Sequence, residues 1–227
     1  MKTFAEKVIE FNSNLDYRGI LPEGIKIMNP FKSNSEILPI SRVFYKRFYN
    51  DNNKRNLILG INPGRLGAGI TGIPFTDTKR LTEICGIKIE SVTSHEPSSV
   101  FIYDMIDRYG GPGKFYGKYF ISAVSPLGFV SQNSKGNWIN YNYYDSPAIV
   151  DTMEPFFVEC LKNQINFGID TSACYVLGKK NAKFVERLNK KYNFFNKIII
   201  LDHPRYIQQY KLSSRELYIS DYLDKLT

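Results

Sequence analysis

Four short, largely apolar segments constrain the fold of this chain more than any other feature. They lie at residues 56–61, 119–125, 173–177 and 197–201, and none alternates cleanly between apolar and polar residues. Strands that are covered on both faces have this pattern, which is typical of parallel sheets. Helical segments lie between them. The sequence therefore predicts an α/β fold with three layers, α/β/α, around a central four-stranded, mostly parallel sheet.

Local signals mark the ends of several predicted helices. Ser146 and Pro147 predict the start of one helix, which we expect to kink or break near Pro155. Ser213 and Glu216 have the spacing of a capping box that opens a last helix. Two more helices are predicted at residues 99–109 and 181–192.

The chain has 227 residues, and the sequence shows no linker, so we predict a single domain over residues 1–227. Residues 1–50 are predicted to form an N-terminal helical extension, because Phe4, Val8, Phe11 and Leu15 recur at helical spacing. Residues 126–144 contain a polar segment that is predicted to be a loop, either mobile or facing the substrate.

The balance of charge favours a phosphate-bearing partner. The formal net charge is +8, and aromatic residues make up 15% of the chain. Basic groups attract nucleic acids through the release of counterions, and aromatic rings can stack on bases. The alternative is an aromatic-rich core in a basic protein that binds no nucleic acid.

The three cysteines argue against several classes of protein. Cys85, Cys160 and Cys174 are far apart, odd in number and without a C-x-x-C pattern. We therefore expect no disulfide framework, zinc site or iron–sulfur cluster. No segment reaches transmembrane length, so we expect a cytoplasmic protein, monomeric and without a membrane partner.

The segment LILGINPGRLGAGITGIPFTD, at residues 57–77, changes from an apolar run to glycine-rich backbone. Asn62 is the lone polar side chain at the change. The segment matches neither G-x-G-x-x-G nor a P-loop, and the chain has no G-x-S-x-G. Taken alone, Asn62 is better interpreted as an Asn before Pro that stabilises a turn.

Two motifs carry a resemblance to a known family. GINPG at residues 60–64, continued by TGIPF at residues 71–75, resembles the first motif of the uracil-DNA glycosylase superfamily. LDHPRY at residues 201–206 resembles its second motif, and SPL at residues 125–127 resembles an element that ends the family's second strand. The chain is most similar to the single-strand-selective monofunctional branch.

The resemblance implies a role for each matching residue. Asn62 and His203 are the catalytic candidates: Asn62 positions the attacking water, and His203 donates to an oxygen of the departing base. Phe75 stacks on a base that has been flipped out of the helix. The base-binding candidates are Gly60, Ile61, Pro63, Gly64, Phe75, Ser122, Ala123 and Ser125. The DNA-binding candidates from the second motif are Pro204, Arg205 and Tyr206. Two more come from outside the matching residues: Arg65 stands where close relatives carry Pro, and Lys179 adds positive charge at the start of the helix after the third predicted strand.

The resemblance also implies an activity: hydrolysis of the N-glycosidic bond of uracil in DNA, for base-excision repair, without a metal or other cofactor. One position departs from the family's pattern. Ala123 stands where close relatives carry an Asn that pairs with uracil, so we expect a wider range that includes xanthine or hypoxanthine.

Two other classes of function stay open. A chain that retains the fold but has lost the reaction would bind nucleic acids or nucleotides without cleaving them, and the change at Ala123 favours this alternative. The affinity of a hydrolase for free nucleosides or nucleotides would depend little on the salt concentration. The affinity of a DNA-binding enzyme for DNA would fall steeply as the salt concentration rises.

Overall fold

Two β-sheets organise the chain, and a computed structural model describes them within residues 1–226. The strands are β1 (Ile25–Met28), β2 (Arg55–Gly60), β3 (Tyr119–Ala123), β4 (Gly128–Gln132), β5 (Trp138–Tyr141), β6 (Ile169–Leu177) and β7 (Ile198–Leu201). The helices are α1 (Phe4–Asn14), α2 (Pro30–Ser33), α3 (Ile37–Phe48), α4 (Ala68–Thr71), α5 (Thr78–Glu83), α6 (Pro97–Tyr109), α7 (Pro112–Lys118), α8 (Pro147–Ile165), α9 (Lys179–Tyr192), α10 (Pro204–Tyr210) and α11 (Arg215–Lys225). Short 3₁₀ turns lie at Tyr143–Asp145 and Leu212–Ser214.

The main sheet has four parallel strands in the order β3-β2-β6-β7. Its central strand β2 is almost entirely buried, with Leu57 and Leu59 fully inaccessible. Gly60, the last residue of β2, lies opposite Ala123, the last residue of β3. The predicted α/β fold around a four-stranded parallel sheet is thereby confirmed. The carboxyl ends of these strands meet at one edge, where α/β folds place their ligands.

The second sheet is antiparallel, in the order β1-β4-β5, and the sequence analysis missed it. The prediction of a loop at residues 126–144 is wrong, because this segment contains β4 and β5. A Cβ on Gly128 would lie 2.6 Å from the backbone oxygen of Pro63. The first residue of β4 therefore packs closely against the loop that carries Asn62.

The first 50 residues contain strand β1 as well as helices α1, α2 and α3. Helix α1 begins with a capping box between Thr3 and Glu6. Its buried face includes Phe4 and Val8, which belong to the same hydrophobic cluster as Leu57 of the main sheet. This segment therefore contributes to the core beside β2.

Two local predictions about helices need correction. Helix α8 starts at Pro147 as predicted and continues as one helix through Pro155, so the predicted break is absent. Pro155 is exposed, as is Asp151 one turn earlier, so water can reach the carbonyl group that loses its partner. Helix α11 begins at Arg215, and its N-cap Ser214 accepts no hydrogen bond. The expected capping box at Ser213 is absent because Ser213 lies in a 3₁₀ turn.

Within residues 1–226, every helix is too short or too polar to cross a lipid bilayer.

Candidate active site

A cavity of about 260 Å³ lies where β2, β3 and β7 end. Its size is near the lower end of the range for small-molecule pockets, roughly 300–1,000 Å³. The structure brings most of the predicted site residues to its wall. These are Gly60, Ile61, Asn62, Pro63, Gly64, Phe75, Ser122, Ala123, His203, Arg205 and Tyr206.

Four predicted site residues lie elsewhere. The hydroxyl group of Ser125 is fully buried and donates a hydrogen bond to the backbone oxygen of Leu127, at 2.7 Å. The predicted contact between Ser125 and a base is therefore wrong. Arg65 and Lys179 are exposed outside the cavity wall, and Pro204 is buried at the start of α10.

The side-chain amide of Asn62 is held by backbone groups at the end of β5 and just after it. Its Oδ1 accepts a hydrogen bond from the N–H of Tyr143 at 3.2 Å, and its Nδ2 donates to the carbonyl oxygen of Tyr141 at 3.1 Å. An amide oxygen has two lone pairs, so Oδ1 can accept a second hydrogen bond. The arrangement fixes the orientation of the amide at the cavity wall.

The imidazole of His203 is neutral over the physiological range of pH. Burial, and second the positive charge of Arg205, lower the pKa of His203 to about 4. Its Nδ1 accepts a hydrogen bond from the backbone N–H of Arg205 at 3.1 Å. A neutral imidazole whose Nδ1 accepts must carry its proton on Nε2. His203 therefore offers one N–H donor from the N-cap of α10.

Phe75 forms an aromatic wall of the cavity. Its ring centroid lies 6.0 Å from that of His203, and a Cβ on Gly60 would come within 3.2 Å of the Phe75 ring. The backbone of Phe75 has a positive φ of 52°, which is unusual for an aromatic residue. The hydroxyl group of Thr71 holds the turn by donating to the carbonyl oxygen of Thr76 at 2.6 Å.

The cavity contains a buried acid that the sequence analysis did not identify. Glu96, immediately before α6, lines the cavity, and its Oε2 has no hydrogen-bond partner within residues 1–226. Burial, and second the negative charge of Asp77, raise the pKa of Glu96 to about 7, although Arg205 opposes the shift. Glu96 is a single Glu before a Pro in a loop, and nothing in the sequence around it predicts that its side chain lines a cavity.

The small antiparallel sheet supplies a further wall that the sequence analysis missed. Asn140, Asn142 and Tyr144 line the cavity from β5 and the segment after it. The Oδ1 of Asn140 accepts a hydrogen bond from the backbone N–H of Arg65 at 2.8 Å. The positions of Asn140, Asn142 and Tyr144 depend on the pairing of β4 with β5. The polar composition of residues 126–144 did not predict this pairing.

Within residues 1–226, no cluster of three or more His, Cys, Asp or Glu side chains has the arrangement of a metal site. The cavity instead offers amide, imidazole, hydroxyl and carboxyl groups around an aromatic ring. Such groups can bind a planar ring that carries carbonyl oxygens, and they can hold a water molecule.

Comparisons with known proteins show the family to which the chain is similar. A family model described as the uracil DNA glycosylase superfamily matches residues 47–227. Among solved structures, the crystal structure of wild-type SMUG2 from Pedobacter heparinus is similar to this chain, with 50% identity and a TM-score of 0.97. The similarity covers 100% of this chain and 97% of that chain. No curated protein matches the sequence.

Proposed function

The chain belongs to the uracil DNA glycosylase superfamily, and from this premise we propose that it is a monofunctional DNA glycosylase for deaminated bases. The resemblance to the single-strand-selective monofunctional branch is confirmed by the similarity to SMUG2. We propose uracil as the first substrate, with xanthine and hypoxanthine as further ones, and a role in base-excision repair.

One observation carries the proposal: Asn62 and His203, which are 141 positions apart in the sequence (203 − 62), line a single cavity. Asn62 follows the central strand β2, and His203 follows the edge strand β7. Phe75 adds an aromatic wall to the same cavity. A base inside a duplex is out of reach of such a cavity, so the substrate is a flipped or single-stranded nucleotide.

His203 stabilises the leaving base in this mechanism. When the glycosidic bond breaks, negative charge develops on the base and positive charge develops on the sugar. The Nε2–H of His203 donates to a carbonyl oxygen of the base as that oxygen becomes negative. A donor that is already oriented needs little reorganisation, and such donors commonly provide the largest single contribution to catalysis.

Asn62 orients the attacking water through the free lone pair of its Oδ1. An amide is a weak base, so it cannot generate hydroxide. A weakly basic amide suffices when the glycosidic bond breaks before the water attacks, because the water then reacts with a cation on the sugar. The contacts of Asn62 with Tyr141 and Tyr143 support this role because they keep the amide from rotating.

The wall at Ser122 and Ala123 determines how broad the substrate range is. Ala123 has no polar group to pair with the edge of uracil, so it imposes no strict requirement for a pyrimidine. Gly64 also leaves space, because it places no side chain in the cavity. Both features support the release of larger deaminated bases.

DNA binding is supported by the charge and by α10. Arg205 and Tyr206 are exposed at the cavity mouth in the first turn of this helix. Arg205 provides a charge for a phosphate, and the ring of Tyr206 can fill the gap left by a flipped nucleotide. The net charge of +8 adds a favourable electrostatic contribution over the whole molecule.

The proposal is tested with oligonucleotides that differ only in one lesion: uracil, hypoxanthine, xanthine or none. Each is incubated with excess protein, single-stranded and paired, and then divided into samples with and without alkali. We expect alkali-dependent cleavage at uracil and none at the normal base. Strand cleavage without alkali would contradict a monofunctional mechanism, and the described cavity wall includes no lysine to form a Schiff base.

The two alternative functions give different results in the same assay. A binder without activity would retain abasic or uracil-containing DNA but release no base. A hydrolase of free nucleosides would cleave deoxyuridine and leave the oligonucleotides intact. Either result would refute the proposed function.

A further inference from the structure

The carboxyl group of Glu96 is buried against the glycine-rich loop at the cavity. A Cβ on Gly64 would lie 3.3 Å from Glu96 Oε1, and a Cβ on Gly67 would overlap Glu96 Oε2. A side chain at Gly67 would displace the carboxyl group from this position, and a side chain at Gly64 would crowd it. Oε2 has no hydrogen-bond partner within residues 1–226, which is costly for a buried polar atom.

The surroundings of Glu96 favour its neutral form. Burial and the negative charge of Asp77 raise the pKa of Glu96 to about 7, whereas Arg205 lowers it. Asp77 itself stays charged: despite burial, hydrogen bonds from the backbone N–H groups of Arg80 and Glu96 hold its pKa below the usual value. The guanidinium of Arg80 and the exposed ring of His95 face Asp77 rather than an oxygen of Glu96.

A neutral carboxyl group differs from the other polar groups of the cavity because it can both donate a hydrogen bond and give up its proton. The Nε2–H of His203 is a donor only, because a neutral imidazole holds its last proton strongly. The amide of Asn62 is not an acid, and its Nδ2 already donates to the carbonyl oxygen of Tyr141. Within the described cavity wall, Glu96 is the only carboxylic acid.

Building on the proposed function, we propose that Glu96, in its protonated form, is the general acid for deaminated purines and transfers its proton to N7 of the flipped base. N7 is an acceptor that every purine carries on its five-membered ring. Uracil has a C–H group on the corresponding edge and accepts no proton there. Glu96 thus acts in the release of hypoxanthine or xanthine and is dispensable for uracil.

The proposed step balances in atoms and electrons. The bond between C1′ and N9 breaks, and its electron pair goes to the purine ring. The proton of Glu96 moves to N7, so the base leaves as a neutral molecule. Water adds to C1′, and the proton that it releases restores the acid form of Glu96.

The location of Glu96 supports this assignment. Gly60, at the end of β2, packs against Phe75 and the backbone oxygen of Ser122, whereas Gly64 packs against Glu96. The carboxyl group therefore lies at the other end of the GINPG loop from Ser122. A purine is longer than a pyrimidine, so a purine that stacks on Phe75 extends further along the loop towards Glu96.

The test compares the native protein with Glu96→Gln, which keeps size and hydrogen-bond donation but cannot transfer a proton. Single-turnover release of hypoxanthine and of uracil is measured from about pH 5.5 to pH 9. We expect the variant to release hypoxanthine at least ~10-fold more slowly at about pH 6, with uracil release within ~3-fold of native. The hypoxanthine rate of the native protein should fall above about pH 7, and its uracil rate should not.

The matched control is Glu83→Gln, which changes an exposed glutamate of α5 outside the cavity and should leave both rates unchanged. Equal slowing of both bases by Glu96→Gln, or no slowing, would overturn the inference. So would a native protein that releases uracil but neither purine; in that case the proposed uracil-DNA glycosylase activity stands and the proposed wider range of bases fails. If the native protein releases no deaminated base, the proposed function fails as well.

Discussion

The Oδ1 of Asn62 accepts a hydrogen bond from the backbone N–H of Tyr143 at 3.2 Å, and this contact joins the end of β2 to the segment after β5. The phenol of Tyr143 in turn donates to Asn181 at 2.6 Å, and Asn181 donates to the carbonyl oxygen of Leu59 at 3.1 Å. The residue that we propose as the water-positioning group is thus part of a closed network with its own strand. Such a network keeps a side chain in a reactive orientation.

The substitution Asn62→Ala should reduce the single-turnover rate of uracil release by at least ~100-fold. It removes the amide oxygen that orients the water, and misplacement by about 1 Å is enough for a loss of that size. The measurement is base release at enzyme excess, together with the free energy of unfolding from a urea titration.

The control for this prediction is Tyr143→Phe, which loosens the same network without touching the amide. It leaves the Oδ1 of the buried Asn181 without its donor and should cost about 1–3 kcal/mol of stability. We expect it to retain most of the activity. A loss equal to that of Asn62→Ala would assign Asn62 a structural role only.

The imidazole of His203 should stay neutral between about pH 5 and pH 8, because its pKa is lowered to about 4. Since the unfolded state binds the proton more readily, stability should be lost as pH falls from about 6.5 through 4. A ¹⁵N titration of the two histidines measures this directly, with His95→Gln to identify the remaining signal. A titration of His203 near pH 6.5 would contradict the geometry.

The substitution Ala123→Asn should raise the ratio of uracil release to hypoxanthine release. Its amide restores a partner for the pyrimidine edge and fills space that a purine needs, so we expect a change of about 10-fold or more. Competition between the two lesions in one reaction gives the ratio without an error in protein concentration. Unchanged selectivity would show that position 123 does not contact the base.

The stability of the protein should depend on the charge of Glu96. Its pKa is raised from 4.5 to about 7 on folding, so the folded state binds more protons in this window and stability falls as pH rises through it. Glu96→Gln should therefore stabilise the protein by about 1–3 kcal/mol at pH 8 and by little at pH 4.5. Urea unfolding at both values of pH measures the difference, and a variant that is less stable at pH 8 would contradict the assigned burial.

Binding to DNA should depend steeply on salt, and Arg205 should account for part of the slope. Arg205→Gln is expected to weaken binding and to reduce the slope of log K against log salt by about 1. Lys2→Gln is the matched control, because Lys2 pairs with Glu10 in α1 and is outside the cavity. An equal effect of both substitutions would show that only net charge matters.

The main sheet could be predicted from the sequence because its strands are short apolar runs, of which β2 and β3 are buried on both faces. The apolar run that ends at Gly60 needs no distant partner to be recognised, and the same holds for the run that ends at Leu201. The order of the strands then places Asn62 and His203 at the same edge. Two side chains far apart in sequence could be assigned to one cavity for this reason.

The antiparallel sheet and the buried acid could not be predicted in this way. Strand β1 is only partly buried, and Met28 pairs with Gly128, 100 residues later (128 − 28), so no local pattern reveals the sheet. The carboxyl group of Glu96 packs against Gly64 and Gly67, a contact that is long-range in sequence. Ser125 was misplaced for a local reason, because its hydroxyl group turns back to the carbonyl oxygen of Leu127, two residues later.

The most direct test of the central claim is single-turnover release of free uracil from a single-stranded oligonucleotide, compared between the native protein and the double variant Asn62→Ala with His203→Ala. We expect the native protein to release uracil and to leave the strand intact until alkali is added, while the double variant releases none above the background. Release at the same rate by both proteins would contradict the account, as would a native protein that releases no uracil.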